Sequence, residues 1–154
     1  LNCAIKAAKI AKENGVKVSL YAGGLYDGIE KLLPYADILI PSAEFVTGLT
    51  GEKDIVTAAK KTYEKYKPEV FVVTDGSRGG YYFTENGDLR KYDSVKVEAI
   101  DTNGAGDTFH GAFLAAYLSG KNIEEACDFA KKVAAYKCGK KGLREIDFKQ
   151  FSLK

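Results

Sequence analysis

Residues 100–113 decide the fold, and they read Ile100-Asp101-Thr102-Asn103-Gly104-Ala105-Gly106-Asp107-Thr108-Phe109-His110-Gly111-Ala112-Phe113. This stretch predicts a strand that ends near Ile100, then a glycine-rich turn and a helix with Asp107 in its first turn. The first turn of a helix presents unpaired backbone N–H groups and the positive end of the helix dipole, which together favour an anion. With a carboxylate at its edge, such an anion site suits phosphoryl transfer to a hydroxyl group.

The glycines of this turn are open to two interpretations. Gly104 and Gly106 allow the backbone to approach a ligand closely and to direct its amides towards an anion. Taken alone, Gly-Ala-Gly-Asp is equally typical of a tight strand-to-helix turn in which Asp107 only caps the helix. Both interpretations stand at this point.

Apolar spacing along the rest of the chain predicts alternating helices and strands. Helices are predicted at 3–14, 27–33, 43–49, 54–66, 107–118, 123–139 and 147–151, and strands at 16–21, 36–41, 70–74, 81–84, 89–92 and 95–99. Asp27, Ser42 and Asp54 are the predicted N-caps of their helices. This order implies a mainly parallel sheet that contains a β-hairpin and is covered by helices on both faces.

Ligands of such sheets bind beyond the carboxyl ends of the strands. Three segments follow predicted strands at such ends: Pro41-Ser42, Asp75-Gly76 and 101–106. We therefore expect these segments to converge on one rim of the sheet.

Composition excludes several classes of protein. The chain has 154 residues and a formal net charge of +2, with lysines interspersed among glutamates, so nucleic acid is not an expected partner. No apolar run approaches the ~20 residues of a membrane span. Cys3, Cys127 and Cys138 have no metal-like spacing, and their odd number indicates free thiols in a reducing, cytoplasmic compartment. The absence of methionine leads us to expect a piece of a longer polypeptide.

The stretch 101–113 closely resembles the second signature of the PfkB carbohydrate kinase (ribokinase-like) family, Asp-Thr-x-Gly-Ala-Gly-Asp followed by a helix with small residues. Three other segments resemble the same family: the strand and glycine turn at 72–81, Leu-Thr-Gly at 49–51, and 134–139 with Gly142. The resemblance implies a three-layer αβα ribokinase-like fold. It covers the family's C-terminal nucleotide-binding portion, so residues 1–154 are expected to be that portion of a single kinase domain lacking its N-terminal half.

The resemblance also implies an activity and roles for individual residues. The expected reaction is ATP-dependent transfer of the γ-phosphoryl group to a hydroxyl of a sugar or sugar-like substrate, with Mg²⁺. Asp107 matches the catalytic base, and Gly104, Ala105 and Gly106 match the anion hole. Nucleotide contacts are expected from Thr74, Gly76, Gly79, Thr102, Ala134 and Cys138. The segment of Asp101 and Thr102 borders a monovalent-cation site in many members, which leaves a K⁺ site open; alternatively, Asp101 only caps the turn.

Two positions depart from the family pattern. Ser42 stands where the family's Asn-x-x-Glu motif, tied to magnesium and phosphate, has asparagine. Some branches have Ser-x-Glu here, which makes Glu44 the candidate for metal-linked water contacts; the alternative is a solvated first-turn glutamate. Leu143 stands where a small residue is common, which argues against a nucleotide or cation contact from the tail.

His110 is expected to pack or form a local hydrogen bond, and Arg78 to be solvated.

Two other functions remain open. The altered Asn-x-x-Glu motif favours a nucleotide- or sugar-binding regulatory protein that has kept the fold without catalysis. A hydroxymethylpyrimidine-type kinase is a weaker alternative, because its turn usually carries different residues.

In family members the sugar-binding residues and a small β-lid lie mostly in the N-terminal part. We therefore predict that residues 1–154 alone bind nucleotide weakly and phosphorylate nothing efficiently. A homodimer of the full-length protein is left open.

Overall fold

The computed structural model of the chain describes residues 1–142 and 147–151, so the expectation for Leu143 lies outside the described residues. Five α-helices are present: α1 Asn2–Glu13, α2 Ala43–Thr50, α3 Ile55–Tyr66, α4 Ala105–Leu118 and α5 Ile123–Cys138. The strands are β1 Ser19–Ala22, β2 Ile38–Pro41, β3 Val70–Thr74, β4 Gly80–Phe83 and β5 Leu89–Tyr92. Short 3₁₀ turns occupy Ile29–Lys31, Leu33–Tyr35, Gly76–Arg78 and Phe148–Gln150.

The strands form one mixed sheet in the order β1-β2-β3-β4-β5. The first three strands are parallel, with Ser19 opposite Ile38 and Ile38 opposite Val70. The hairpin β4–β5 then adds antiparallel strands beside β3. The predicted parallel arrangement and the predicted hairpin are both confirmed.

Helices cover both faces of the sheet, so β2 and β3 are buried on both sides. Leu39 and Phe71 face a core that is covered by α1, α2 and α3. Ile40 and Val72 face the opposite core, which is covered by α4 and α5. All four side chains are fully buried, so the alternation along each strand builds the expected three-layer αβα arrangement.

Local capping explains where α2 and α3 begin. Ser42 Oγ accepts a hydrogen bond from the Phe45 N–H at 3.0 Å, and Asp54 accepts one from the Thr57 N–H at 2.8 Å. Gly51 ends α2 in a left-handed conformation with φ of 72°. Both of these predicted caps are confirmed.

The predicted strand at 95–99 is wrong. In the described part of the chain this segment pairs with no strand, and Val95 and Val97 are 37% and 43% exposed. Alternation of apolar residues produces a strand only where a neighbouring strand supplies hydrogen-bond partners. The segment is instead held at its end, where the N–H groups of Ile100 and Asp101 donate to the Cys138 carbonyl at 2.8 and 3.1 Å.

The predicted helix between Asp27 and Leu33 is replaced by two 3₁₀ turns. Gly28, not Asp27, precedes the first turn, with φ of 82°. Pro34 lies in the second turn, where its missing N–H prevents a continuous α-helix. β1 also begins later than predicted, because the Val16 N–H bonds back to the Ala11 carbonyl at 2.8 Å. Across the described residues, no helix has the length and apolarity needed to cross a membrane.

Candidate active site

The carboxyl ends of β1, β2 and β3 lie side by side at one edge of the sheet. Ala22 at the end of β1 is opposite Pro41 at the end of β2. Ser42 forms a bridge with Thr74, whose hydroxyl donates to the Pro41 carbonyl at 3.5 Å. The predicted convergence of Pro41-Ser42 with the turn after Thr74 is therefore confirmed.

The first turn of α4 reaches the same edge through Gly106. A methyl group added at Gly106 would lie 1.9 Å from the hydroxyl oxygen of Tyr21, the penultimate residue of β1. Burial raises the pKa of Tyr21, and the negative charge of Asp107 raises it further. The glycine turn thus joins the rim because Gly106 allows α4 to approach β1.

Gly106→Ala is expected to lower the free energy of unfolding by about 1–3 kcal/mol, because Tyr21 must move to admit the methyl group. The matched control is Gly111→Ala in the same helix, where an added methyl group meets nothing within 4 Å. That control should be neutral or stabilise by about 0.5–1 kcal/mol. Urea unfolding of both variants checks the difference. Equal stabilities would contradict the close approach of α4 to Tyr21.

The start of α4 leaves backbone donors unpaired. Gly104 precedes the helix in a left-handed conformation with φ of 74°, and no side chain caps it. The Ala105 N–H donates to the Thr102 carbonyl at 3.1 Å. Within residues 1–142 and 147–151, the N–H groups of Gly106 and Asp107 donate to no protein group. These two amides are available to an anion.

Asp107 is exposed in the first turn of α4 and, in the described part of the chain, its carboxylate accepts no hydrogen bond. This geometry disfavours the interpretation in which Asp107 only caps the helix. A free carboxylate beside two free amides can take a proton from a hydroxyl group while the amides hold an anion.

Asp101 holds the turn that precedes α4. Its carboxylate accepts the N–H groups of Asn103 and Gly142, each at 2.9 Å, and these two hydrogen bonds lower the pKa of Asp101. The Lys137 ammonium donates to the Asp101 carbonyl at 2.8 Å. The capping role that was left open for Asp101 is therefore present, and Asp101 also fixes the turn to the C-terminal end of α5.

Lys137 is the residue whose importance the sequence did not reveal. It is fully buried and continues the seam of buried residues that α5 turns towards α4 and the sheet: Ala126, Ala130, Val133 and Lys137. A lysine at the next position of an apolar helical face is the one signal in the sequence that could have indicated its burial, but that signal does not identify its partner.

The turn after β3 contains two glycines with different surroundings. A methyl group added at Gly76 would meet nothing within 4 Å, whereas one added at Gly79 would lie 2.0 Å from the Tyr92 carbonyl oxygen. Gly76 therefore faces open space, and Gly79 is required by the hairpin. Arg78 binds the Asp75 carboxylate through two hydrogen bonds of 2.8 and 2.6 Å, and its side chain is 74% exposed.

The remaining predicted site residues lie on three different elements. Glu44 is exposed in the first turn of α2, and Thr102 is exposed in the turn before α4. Ala134 is half-buried against the core between α5 and the sheet, and the Cys138 carbonyl is occupied by the N–H groups described above. In the described ranges, no three or more His, Cys, Asp and Glu side chains gather into a metal-binding group.

His110 has the structural role that was expected. Its Nε2 is 2.7 Å from the Ser19 hydroxyl, and its ring stacks on Tyr21 with centroids 5.9 Å apart. Burial lowers the pKa of His110, although the charge of Asp107 opposes the shift.

The His110 shift predicts a pH dependence of stability. Because the folded-state pKa lies below the ordinary value of about 6.5, the unfolded chain binds a proton that the folded chain resists. Stability should be full above pH ~6.5 and should fall as the pH drops below it. Urea midpoints between pH 7.5 and 5.5 should therefore decline more for the wild type than for His110→Asn. Parallel declines would contradict the assignment.

A glycine-started helix at the carboxyl edge of a three-layer αβα sheet is an arrangement typical of α/β proteins that bind phosphate groups. The family can be stated more closely. The chain belongs to the pfkB family of carbohydrate kinases, whose family model matches residues 1–149.

Individual relatives agree with this membership. The chain is 38% identical to a ribokinase of Haemophilus influenzae, over 88% of this chain and 45% of the relative. It is 28% identical to a 5-dehydro-2-deoxygluconokinase of Halalkalibacterium halodurans, over 85% of this chain and 43% of the relative. The structure matches an Arabidopsis thaliana ribokinase complexed with ribose and ATP, with a TM-score of 0.80 and 33% identity, over 91% of this chain and 47% of that one. The chain spans about half the length of the curated relatives it matches.

Proposed function

We propose that this chain binds ATP and forms the phosphoryl-transfer portion of a sugar kinase. The observation that carries the proposal is the first turn of α4, where two amides that donate to no protein group in the described part of the chain lie next to the exposed carboxylate of Asp107. Membership of the carbohydrate kinase family supports it, as does the ribose and ATP complex of the Arabidopsis neighbour.

In the proposed reaction Asp107 takes the proton of the sugar hydroxyl as that oxygen attacks the γ-phosphate. A carboxylate is a weak base towards an alcohol, so Asp107 contributes mainly by position. The proposed anion hole comprises the turn Gly104–Gly106. In the described part of the chain the N–H groups of Gly104 and Gly106 donate to no protein group, and neither does the next amide, that of Asp107, whereas the Ala105 N–H is bonded to Thr102. Donors fixed in this way stabilise the charge of the transferring group.

The nucleotide would lie between the turn after β3 and the C-terminal end of α5. Gly76 offers open space for a close approach of phosphate or ribose. Thr74, Gly79, Thr102, Ala134 and Cys138 are the other proposed nucleotide contacts, with Gly79 contributing backbone only.

Glu44 is the proposed magnesium-linked residue. Mg²⁺ keeps several waters and is held by one or two carboxylates together with substrate phosphates, so a single exposed glutamate fits an indirect, water-mediated contact. Bound Mg²⁺ would neutralise charge on the phosphates.

A regulatory protein without catalysis is the second candidate, and Ser42 is the observation that favours it. Its hydroxyl caps α2 and donates to the Gly23 carbonyl at 3.3 Å. Both hydrogen bonds are structural, so the serine hydroxyl that stands where the family motif has asparagine is already engaged within the protein.

The deciding experiment combines calorimetry with ATP–Mg²⁺ and an assay of ADP formation across a panel of sugars, using the whole protein. Sugar-dependent ADP formation supports the kinase, and binding without ADP supports the regulator. Absence of ATP binding would contradict both. Residues 1–154 alone should bind ATP weakly and form no ADP efficiently, because the relatives are about twice as long and the sugar-binding part is expected to lie in the other half.

A further inference from the structure

Lys137 is the one charged side chain that is fully buried among the residues that the structure describes. Its ammonium group lies 2.8 Å from the carbonyl oxygen of Asp101 and 3.7 Å from one oxygen of the Asp101 carboxylate. Burying an ammonium group is costly unless it is paired. The position of this charge therefore calls for a reason, and its partner is the residue that holds the turn before the anion site.

The family resemblance left open a K⁺ site at Asp101, and the residues present do not fit one. A cation there would have to share oxygens of Asp101 that each already accept a hydrogen bond, and would have to enter beside a buried positive charge. The carbonyl accepts from Lys137, and the two carboxylate oxygens accept from the N–H groups of Asn103 and Gly142. A second positive charge would also be repelled by the buried ammonium group.

We propose that the Lys137 ammonium group takes the place of a bound monovalent cation and makes the anion site independent of K⁺. Lysine carries a compact point charge at the end of a flexible chain, so it can serve as a covalently attached cation. Lys137 is a positioning residue in this proposal, because it acts on the turn and touches neither nucleotide nor sugar.

The path from Lys137 to the anion site is short. Lys137 fixes the Asp101 carbonyl, and the Asp101 carboxylate fixes the Asn103 N–H. Gly104 follows directly in its left-handed conformation, and α4 begins with the next residue. Without the charge at Lys137, the turn loses one of the groups that hold its first residue against α5, and the amides of Gly106 and Asp107 are held less firmly in direction.

Two substitutions separate a built-in cation from a merely structural lysine. Lys137→Ala removes the charge and leaves room beside the Asp101 oxygens. Lys137→Met fills the same volume without charge, and therefore leaves no room for an ion. The test uses the whole protein, in buffers of equal ionic strength whose only monovalent cation is K⁺, NH₄⁺ or the bulky tetramethylammonium.

ATP–Mg²⁺ affinity measured by calorimetry should be the same for the wild type in all three buffers, within about twofold. Lys137→Ala should lose about tenfold or more in tetramethylammonium, the loss seen when residues that orient a site are removed, and should regain most of it in K⁺ or NH₄⁺. Lys137→Met should be weakened equally in all three buffers. Without nucleotide, the unfolding temperature of Lys137→Ala should be lowered in tetramethylammonium and largely restored in K⁺ or NH₄⁺, while that of the wild type should not depend on the cation. The amide NMR shifts of Asn103 and Gly106 should likewise depart from their wild-type values in tetramethylammonium and return towards them in K⁺ or NH₄⁺.

Three results would overturn the proposal: a wild type that needs K⁺, a Lys137→Ala variant that matches the wild type everywhere, or one that is weakened equally in every buffer. If neither variant folds in any buffer, the ATP affinity and unfolding temperature of the wild type in tetramethylammonium provide the test. A wild type that loses either property without K⁺ rejects the proposal, and a wild type that keeps both supports it. The proposal rests on the proposed ATP site only for the affinity measurement. If the wild type binds no ATP, the proposed function fails, while the unfolding temperatures and amide shifts still test Lys137.

Discussion

Asp107→Asn in the whole protein is expected to lower kcat for sugar phosphorylation by about 100-fold or more, while ATP–Mg²⁺ continues to bind. The substitution removes the only proposed base and keeps the shape of the side chain. Asp107 is exposed and, in the described ranges, accepts no hydrogen bond, so its loss should leave the fold intact. The first turn of α4 loses only a favourable interaction with the helix dipole, worth about 0.3–1 kcal/mol.

Glu124→Gln is the matched control for Asp107→Asn. Glu124 is also a carboxylate in the first turn of a helix, in this case α5, and it lies outside the proposed site. Steady-state kinetics with the best sugar of the panel, together with calorimetry for ATP–Mg²⁺, give kcat and nucleotide affinity separately. The control should retain wild-type turnover. Turnover of Asp107→Asn within about threefold of the wild type would reject Asp107 as the base, since a positioned base contributes far more than that.

Features that depend on a few neighbouring residues were predictable from the sequence. The caps at Ser42 and Asp54 are hydrogen bonds to amides three residues away, and the left-handed Gly51 ends α2 within two residues of the predicted end at 49. The same holds for Gly104, because a glycine between a turn and a helix favours positive φ. Local chemistry determines these elements.

Features that depend on distant partners were not predictable in the same way. Residues 95–99 alternate like a strand, but whether they pair depends on which strand lies alongside, and none does in the described part of the chain. The contact between Lys137 and Asp101 joins residues 36 positions apart, and it exists only because α5 packs beside α4. Neither spacing nor charge along the chain contains that information.

The anion site lies between these two cases. Its glycines and Asp107 were evident from the sequence, yet which amides are free was not. That depends on the bond from the Ala105 N–H to the Thr102 carbonyl, which occupies one of the three amides of the predicted anion hole. The structure also divides the predicted nucleotide glycines into Gly76, which faces open space, and Gly79, which is enclosed by β5.

Gly79→Ala is expected to lower the free energy of unfolding by about 3 kcal/mol or more, because two penalties act together. Gly79 has φ of 86°, a conformation that residues with a side chain rarely adopt. Its added methyl group would also lie 2.0 Å from the Tyr92 carbonyl and 2.9 Å from the Asp93 Cα, and these are backbone atoms that no rotamer change can move aside. The hairpin must therefore separate from the turn after β3.

Gly76→Ala provides the comparison, since Gly76 also has positive φ, 54°, but faces open space. It carries the conformational penalty alone, about 1–2 kcal/mol. Urea unfolding measures the stability of both variants. Calorimetry measures their affinity for ATP–Mg²⁺, and Gly76→Ala should bind ATP more weakly while remaining folded, because its methyl group enters the space proposed for the nucleotide. If the free energy of unfolding of Gly79→Ala lies within about 1 kcal/mol of the wild-type value, the β5 backbone can move away from the added methyl group, and the hairpin does not require a glycine at position 79.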